Sequence, residues 1–303
     1  MWLPCQRSKT RRQNHNFRAP FIVRLCGKEE LYEKHTREKF RLTLIPAADI
    51  VTETDTAVER MVQAELKSRY PTFDFVGEET YKTDQRITEA PTFIVDPIDG
   101  TSNFVHGFPA VCISLGFVVD RKPTVGVVFN PFLDELYTAV KGCGAFYQRA
   151  ESERQRLPLL SSPLRGLGPA CIGIEWGSDR EGVNFELNLK VFTTLARTRE
   201  TGGRFVNSLR CTGSSAITIC RVAAGQQDLF WECGNWAWDV AAAWCILNEA
   251  GGMIVDGHPG EWNPPINNRR YLAVRPAPSG QNEIVEEFWD VIGDDRSTYG
   301  PPQ

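Results

Sequence analysis

Apolar and polar positions alternate along this chain in blocks of two kinds. The run Thr92 to Val95 (TFIV) is short, apolar and rich in β-branched side chains, the pattern of a buried strand. Asp96 then breaks it. Pro97 biases the residue before it towards extended backbone and donates no ladder bond, so Asp96 is expected at the strand's mouth. Upstream, between Asp49 and Arg69, Val58, Met61, Val62 and Leu66 recur at i, i+3, i+4 and i+8 and predict one face of a helix. Thr54 or Asp55 stands at its N-terminus, where either residue caps well. Phe73 to Thr80 (FDFVGEET) predicts a brief strand running into a loop that carries Glu78 and Glu79. Downstream, Val111–Asp120, Pro123–Asn130, Glu135–Val140 and Ala145–Gln148 are apolar runs separated by turn residues and predict an antiparallel set.

The second half mixes elements more freely. Strands are expected near Ala170–Glu175, Asn207–Arg210, Asp228–Glu232, Met253 and Tyr271. Helices are expected at Asn184–Ala196, Ser214–Ala224, Asp239–Ala250 (closed by Gly251 and Gly252) and Ile284–Ile292. Blocks of this kind imply an α+β or layered α/β architecture. The polar stretch 150–164 reads as a surface connection, dividing one domain into halves at 49–150 and 151–296, with a tail at 297–303. Residues 1–48 are the exception. Arg7, Lys9, Arg11, Arg12, Arg18 and Arg24 come with no acid among them, Pro4 and Pro20 interrupt the segment, and a poorly ordered arm is expected, with a short charged helix at Lys28–Phe40.

Composition narrows the function classes. The chain has 303 residues, 42% apolar and 24% charged, with a net charge of −4, so no basic surface announces nucleic acid or an anionic membrane. No apolar run approaches the roughly 20 residues that cross a bilayer. Nine cysteines, an odd number with no C-x-x-C pair, point to reduced thiols and a cytoplasmic setting. With four histidines, soft-metal ligation is not expected either.

The chemistry concentrates at Asp96-Pro-Ile-Asp-Gly-Thr101. Phosphatases that form an aspartyl-phosphate space their acids two apart, in D-x-D-x-T; here Asp96 and Asp99 are three apart. That spacing favours two oxygen ligands for hard cations, with a metal-activated water as nucleophile. A capped turn after a strand is the competing reading. Asp239, at the head of an apolar helix, could likewise be only a cap.

The combination changes the weighing. GEE at Gly77–Glu79, D-x-x-D-G-T-x-N-F at Asp96–Phe104 and W-D-V-A-A at Trp238–Ala242, in this order, resemble the inositol monophosphatase family, in detail its fungal members tied to quinate catabolism. The likeness runs from about Asp49 to Ile292. It implies a layered α-β-α-β-α sandwich of the inositol monophosphatase and fructose-1,6-bisphosphatase type, and hydrolysis of an inositol or similar polyol monophosphate with two or three Mg²⁺ ions. By position, Glu78, Asp96 and the carbonyl of Ile98 would hold one ion, and Asp96, Asp99 and Asp239 a second. Asp55, Glu79 and Thr101 would orient and deprotonate the water, and the amides of Gly100 and Thr101 would cradle the phosphate. Glu232 would recognise a substrate hydroxyl beside Gly213, Ser214 and Ser215, with Ser178 or Asp179 lining the same pocket. The likeness also implies a homodimer and inhibition by Li⁺.

Three departures qualify the pattern. Ser102 and Asn103 stand where nucleotide bisphosphatases of the superfamily place lysine after D-G-T, which favours a polyol phosphate. Trp236 occupies the place of a common histidine, and His106 reads as structural. The long first helix and the basic residue that family members carry upstream of Asp55 have no counterpart in residues 1–48, which predicts reduced solubility.

Overall fold

The computed structural model describes residues 53–83 and 85–301. The expectations for residues 1–48, including the Lys28–Phe40 helix, lie outside the described residues. In chain order the elements of the first half are α1 (Glu53–Arg69), β1 (Asp74–Gly77), β2 (Thr92–Asp99), α2 (Thr101–His106), β3 (Cys112–Val119), β4 (Lys122–Asn130), β5 (Glu135–Val140), β6 (Gly144–Arg149) and β7 (Gln155–Arg156). The second half supplies β8 (Cys171–Ile174), α3 (Gly182–Ala196), β9 (Ser208–Arg210), α4 (Ser215–Ala224), β10 (Leu229–Cys233), α5 (Ala237–Ala250), β11 (Met253–Asp256), β12 (Arg270–Val274) and α6 (Gln281–Ile292).

Strands β1 to β7 form one sheet in sequence order, with β1 parallel to β2 and every later pair antiparallel. The second sheet runs β11-β12-β10-β8-β9. Three apolar clusters fix the layering. Val58, Val62 and Leu66 of α1 pack on Phe93, Val95, Leu115 and Val127, the outer face of the first sheet. Helices α4 and α5 are buried with Ile94, Val118 and Val128 on one side and Phe230, Tyr271 and Ala273 on the other. Leu187, Val191, Ile284 and Phe288 of α3 and α6 cover the far face of the second sheet through Ile172, Trp231 and Leu272. The order is therefore helix, sheet, helix pair, sheet, helix pair, the layered α/β sandwich expected from the resemblance. Gly116 and Gly126 let α5 lie directly on the first sheet: a Cβ at Gly116 would come 2.8 Å from Ala241 Cβ, and one at Gly126 would collide with the Ala242 carbonyl.

The structure differs from the sequence reading at three places that matter. Asp96 does not break its strand: β2 continues through Pro97 to Asp99 with all eight residues buried. The register with β3 shifts between Asp96 and Asp99, so the missing N–H of Pro97 falls where the ladder is interrupted and no donor is required. The connection at 150–164 holds a short polar edge strand, β7, paired with β6, which carries no apolar alternation to reveal it. Helix α5 opens at Ala237 with Trp236 as its N-cap, so Asp239 is its third residue rather than its first.

Candidate active site

The end of β2 delivers Asp96 and Asp99, both buried, and the register shift turns the backbone between them. Asp96 Oδ1 accepts from the Ile98 amide at 2.9 Å, a local turn that holds the carboxylate at the sheet's edge. Asp99 is clamped from the other half of the chain: its Oδ2 accepts from Ser214 Oγ at 2.7 Å and from the Ala216 amide at 2.7 Å, with Cys112 Sγ at 3.7 Å. Ser214 also caps α4 through the Ile217 amide at 3.3 Å. Its hydroxyl, expected beside the substrate, is thus committed to Asp99 and to the helix start.

Gly100 follows with φ 94°, a left-handed conformation in which a Cβ would come 2.7 Å from the Ala110 carbonyl. That turn opens α2 at Thr101. Thr101 Oγ1 lies 3.1 Å from the Ile98 carbonyl and 3.4 Å from Asp55 Oδ1. Asp55 comes from the first turn of α1 and is 1% exposed. Asn103 fastens α2 to the second half, its Nδ2 donating to Thr212 O at 2.8 Å and Ala110 O at 2.9 Å.

Glu78 and Glu79 leave β1 in a turn. The Glu79 amide donates to Glu59 Oε2 at 2.8 Å, and Thr56 Oγ1 donates to Glu79 Oε2 at 3.4 Å, so α1 orients this pair from below. Asp239 reaches back to the Trp236 amide at 2.7 Å, which makes it a helix cap and a member of the acidic cluster at once. Ser114, opposite Asp96 in the β2–β3 register, donates to the Trp238 carbonyl at 3.0 Å and draws the start of α5 towards Asp96.

Electrostatics tie the acids together. Burial, then the charges of Glu78, Asp99 and Asp239, raises the Asp96 carboxyl well above its ordinary range. Burial also raises Glu78 to about 8, with Glu79, Asp55 and Asp99 adding to the shift. Asp99 rises to about 6 through burial, opposed by the bonds from Ser214 and Ala216. Asp239 is raised by burial and by Glu78 and Asp99, and lowered by Arg269. Among the described residues no group of three His, Cys, Asp or Glu forms a ready-made metal cage. The donor chemistry still fits a hard cation, because the converging groups are carboxylate oxygens that burial and mutual repulsion leave short of positive charge.

Around Glu232 a second set assembles. Glu232 Oε2 accepts from Ser215 Oγ at 2.6 Å and Asn235 Nδ2 at 2.5 Å, and burial, then Glu175, raises its carboxyl. Gly213 sits at φ 75° beside Asn103. Asp179 accepts from Asn184 Nδ2 at 2.6 Å and Tyr299 OH at 2.7 Å, and is committed to that pair. His106 ends α2 on the surface.

Two functional neighbours escaped the sequence reading. Glu175 accepts the amides of Thr212 and Gly213 at 2.7 and 2.9 Å and shapes the loop ahead of α4; an acid closing the apolar run Cys171–Ile174 was the available signal. Arg269 stacks 3.6 Å above the Trp236 ring, and no local pattern pointed to it.

The Inositol monophosphatase family profile matches residues 27–292, starting ahead of the Asp49 at which the motif resemblance begins. The chain belongs to the inositol monophosphatase family. It is 47% identical over 247 residues to inositol monophosphatase 2 of Saccharomyces cerevisiae, covering 80% of this chain and 82% of that one. It is 40% identical over 276 residues to the quinic acid degradation cluster protein x of Neurospora crassa, covering 80% and 79%. The solved inositol monophosphatase of Anabaena superposes with a TM-score of 0.66 at 29% identity, over 83% of this chain and 88% of that one. Among the described residues no helix is long and apolar enough to cross a membrane.

Proposed function

We propose that this family member is a phosphoric monoester hydrolase that cleaves an inositol monophosphate, or a closely similar polyol phosphate, to the free alcohol and phosphate. The observation that carries this is the convergence on Asp96 of the charges of Glu78, Asp99 and Asp239, brought from the turn after β1, the end of β2 and the first turn of α5. The high identity to a yeast inositol monophosphatase supports the substrate class.

Glu78, Asp96 and the Ile98 carbonyl would hold one Mg²⁺, and Asp96, Asp99 and Asp239 a second, with Glu78 near a third. Bound there, Mg²⁺ would neutralise the phosphate dianion and acidify a water. Thr101 Oγ1 orients that water and passes a proton to Asp55 Oδ1, 3.4 Å away. Glu79, steadied by Thr56 and by its own amide on Glu59, shares in aiming the water. The amides of Gly100 and Thr101, freed by the left-handed turn, receive the phosphate oxygens. Glu232 accepts a substrate hydroxyl beside Ser215 and the Gly213 loop. The working enzyme is a cytoplasmic homodimer inhibited by Li⁺.

A second reading is a metal- and ligand-binding regulator of quinate metabolism that turns nothing over, supported by the likeness to the Neurospora protein. The Asp55–Thr101 contact favours the enzyme, since a sensor has no use for a water-activating pair. A 3′(2′),5′-bisphosphate nucleotidase is disfavoured by Asn103, which is spent on Thr212 and Ala110. Phosphate release from inositol, sugar and nucleotide phosphates, with Mg²⁺ or EDTA and with Asp239→Asn, tests the proposal. We expect Mg²⁺-dependent turnover of inositol monophosphate that D239N lowers at least a thousandfold. Activity surviving EDTA, or no turnover of any ester by a protein that binds Mg²⁺, would overturn it.

A further inference from the structure

Asn235 lies in the turn between β10 and α5 and is 4% exposed. Its Nδ2 donates to Glu232 Oε2 at 2.5 Å and to Ser215 Oγ at 2.9 Å, while Ser215 Oγ donates to the same Glu232 oxygen at 2.6 Å. The three side chains close a triangle. The other end of the amide, Asn235 Oδ1, is buried with no partner among the described residues. An unsatisfied buried acceptor lowers stability and a native protein keeps one only for a reason. Turning the amide over does not remove the cost, because it sets an oxygen against the Glu232 carboxylate.

The backbone of this turn is held separately. Arg269 donates from Nη2 to the Gly234 carbonyl at 2.8 Å and from Nε to the Asn235 carbonyl at 3.4 Å, with its guanidinium stacked on Trp236. The turn is thus clamped from outside by Arg269 and its side chain is left to act inward. What it acts on is one oxygen of Glu232. Both donors land on Oε2, and among the described residues none reaches Oε1.

We infer that Asn235 is a specificity-determining positioning residue: it fixes Glu232 with Oε1 as a vacant acceptor, selecting phosphate esters whose alcohol carries a hydroxyl over esters that have none. The inference rests on the reading of Glu232 as the acceptor of a substrate hydroxyl. It commits the pocket to a polyol phosphate, because a fixed, unpaired carboxylate oxygen rewards a donor and rejects an apolar leaving group. Without Asn235, Glu232 keeps only the Ser215 bond and swings between rotamers, so each encounter with the polyol must order it anew.

The test compares inositol 1-phosphate with p-nitrophenyl phosphate, whose alcohol carries no further hydroxyl, in the full chain with Mg²⁺. Asn235→Ala is expected to raise KM for inositol 1-phosphate about tenfold with kcat within twofold, and to leave both constants for p-nitrophenyl phosphate unchanged. Asn235→Ser, which keeps a short donor, is expected to give a smaller rise; Asn235→Asp, which sets a second carboxylate against Glu232, a larger one. If N235A does not fold, the order of N235D above N235S on KM decides the matter. An unchanged KM, an equal loss on both esters, or N235S as impaired as N235A or N235D would overturn the inference while the functional reading stands. A wild type that cleaves p-nitrophenyl phosphate but not inositol 1-phosphate would overturn the functional reading, and the inference with it.

Discussion

Replacing Ser214 by alanine probes the joint between the two halves. The hydroxyl is 1% exposed, donates to Asp99 Oδ2 at 2.7 Å and accepts the Ile217 amide at 3.3 Å as the N-cap of α4. Loss of a serine cap costs about 1 kcal/mol. Loss of a buried hydrogen bond to a charged acceptor costs about 1.5–3 kcal/mol. The Ala216 amide still serves the same Asp99 oxygen, so the sum belongs near its lower end, about 2.5 kcal/mol. Urea denaturation in EDTA reads this difference directly, with Ser214→Thr as control, since threonine keeps both bonds and an added buried methyl costs only about 1 kcal/mol. A loss below about 0.5 kcal/mol in S214A, or equal losses in S214A and S214T, would refute the assignment of both bonds.

Two further experiments test the frame around the site. Burial and the Arg270 charge lower His258 from 6.5 to about 4, so it contributes no penalty above pH 6.5, where both states are neutral. As pH falls from 6.5 to 4 only the unfolded chain takes the proton, and stability drops by about 2 kcal/mol once solvent screening is allowed for. His258→Asn is expected to flatten the stability curve over that window; an unchanged slope in melts at pH 7, 6 and 5 would exclude the effect. Arg275, paired with Asp228 at 2.7 Å and bound to the Ser162 carbonyl at 2.6 Å, anchors the connection between the halves to the second sheet. Arg275→Met is expected to cost about 2 kcal/mol by leaving Asp228, half-buried, with the Cys171 amide alone, and Asp228→Asn in the same chain is expected to restore part of it. Additive losses in that cycle would count against the pair.

Much of this arrangement is legible in the chain because its signals are local. The stripe through Val58, Val62 and Leu66 marks α1, and the apolar run before Asp96 marks the strand that carries the first acid. Asp99 and Asp239 could be named because their spacing within short motifs survives without knowledge of the fold. Pro97 misled, since its cost depends on whether the neighbouring strand asks for its N–H, which only the register with β3 decides. Glu175 and Arg269 were harder to read for a related reason: each acts on partners far along the chain, as Glu175 does on the amides of Thr212 and Gly213, while Asn235 acts on nearby Glu232 from a turn with no pattern to mark it. Ser114 is the same case, a small polar residue in a buried strand whose meaning is the Trp238 carbonyl. Ser214 was expected in the loop beside Glu232; the direction of its hydroxyl follows from Asp99 and not from its neighbours.

The bond from Asn103 to the Thr212 carbonyl, and those from Ser214 and Ala216 to Asp99, join residues made early in synthesis to residues made late. A ribosome that has released only the first sheet has built a bare carboxylate with no clamp on it. Neither piece from a cut in the 150–164 connection would inherit a share of the reaction. The Asp99 clamp and the Asp239 carboxylate both come with the second half, so the full acidic cluster is assembled only on docking.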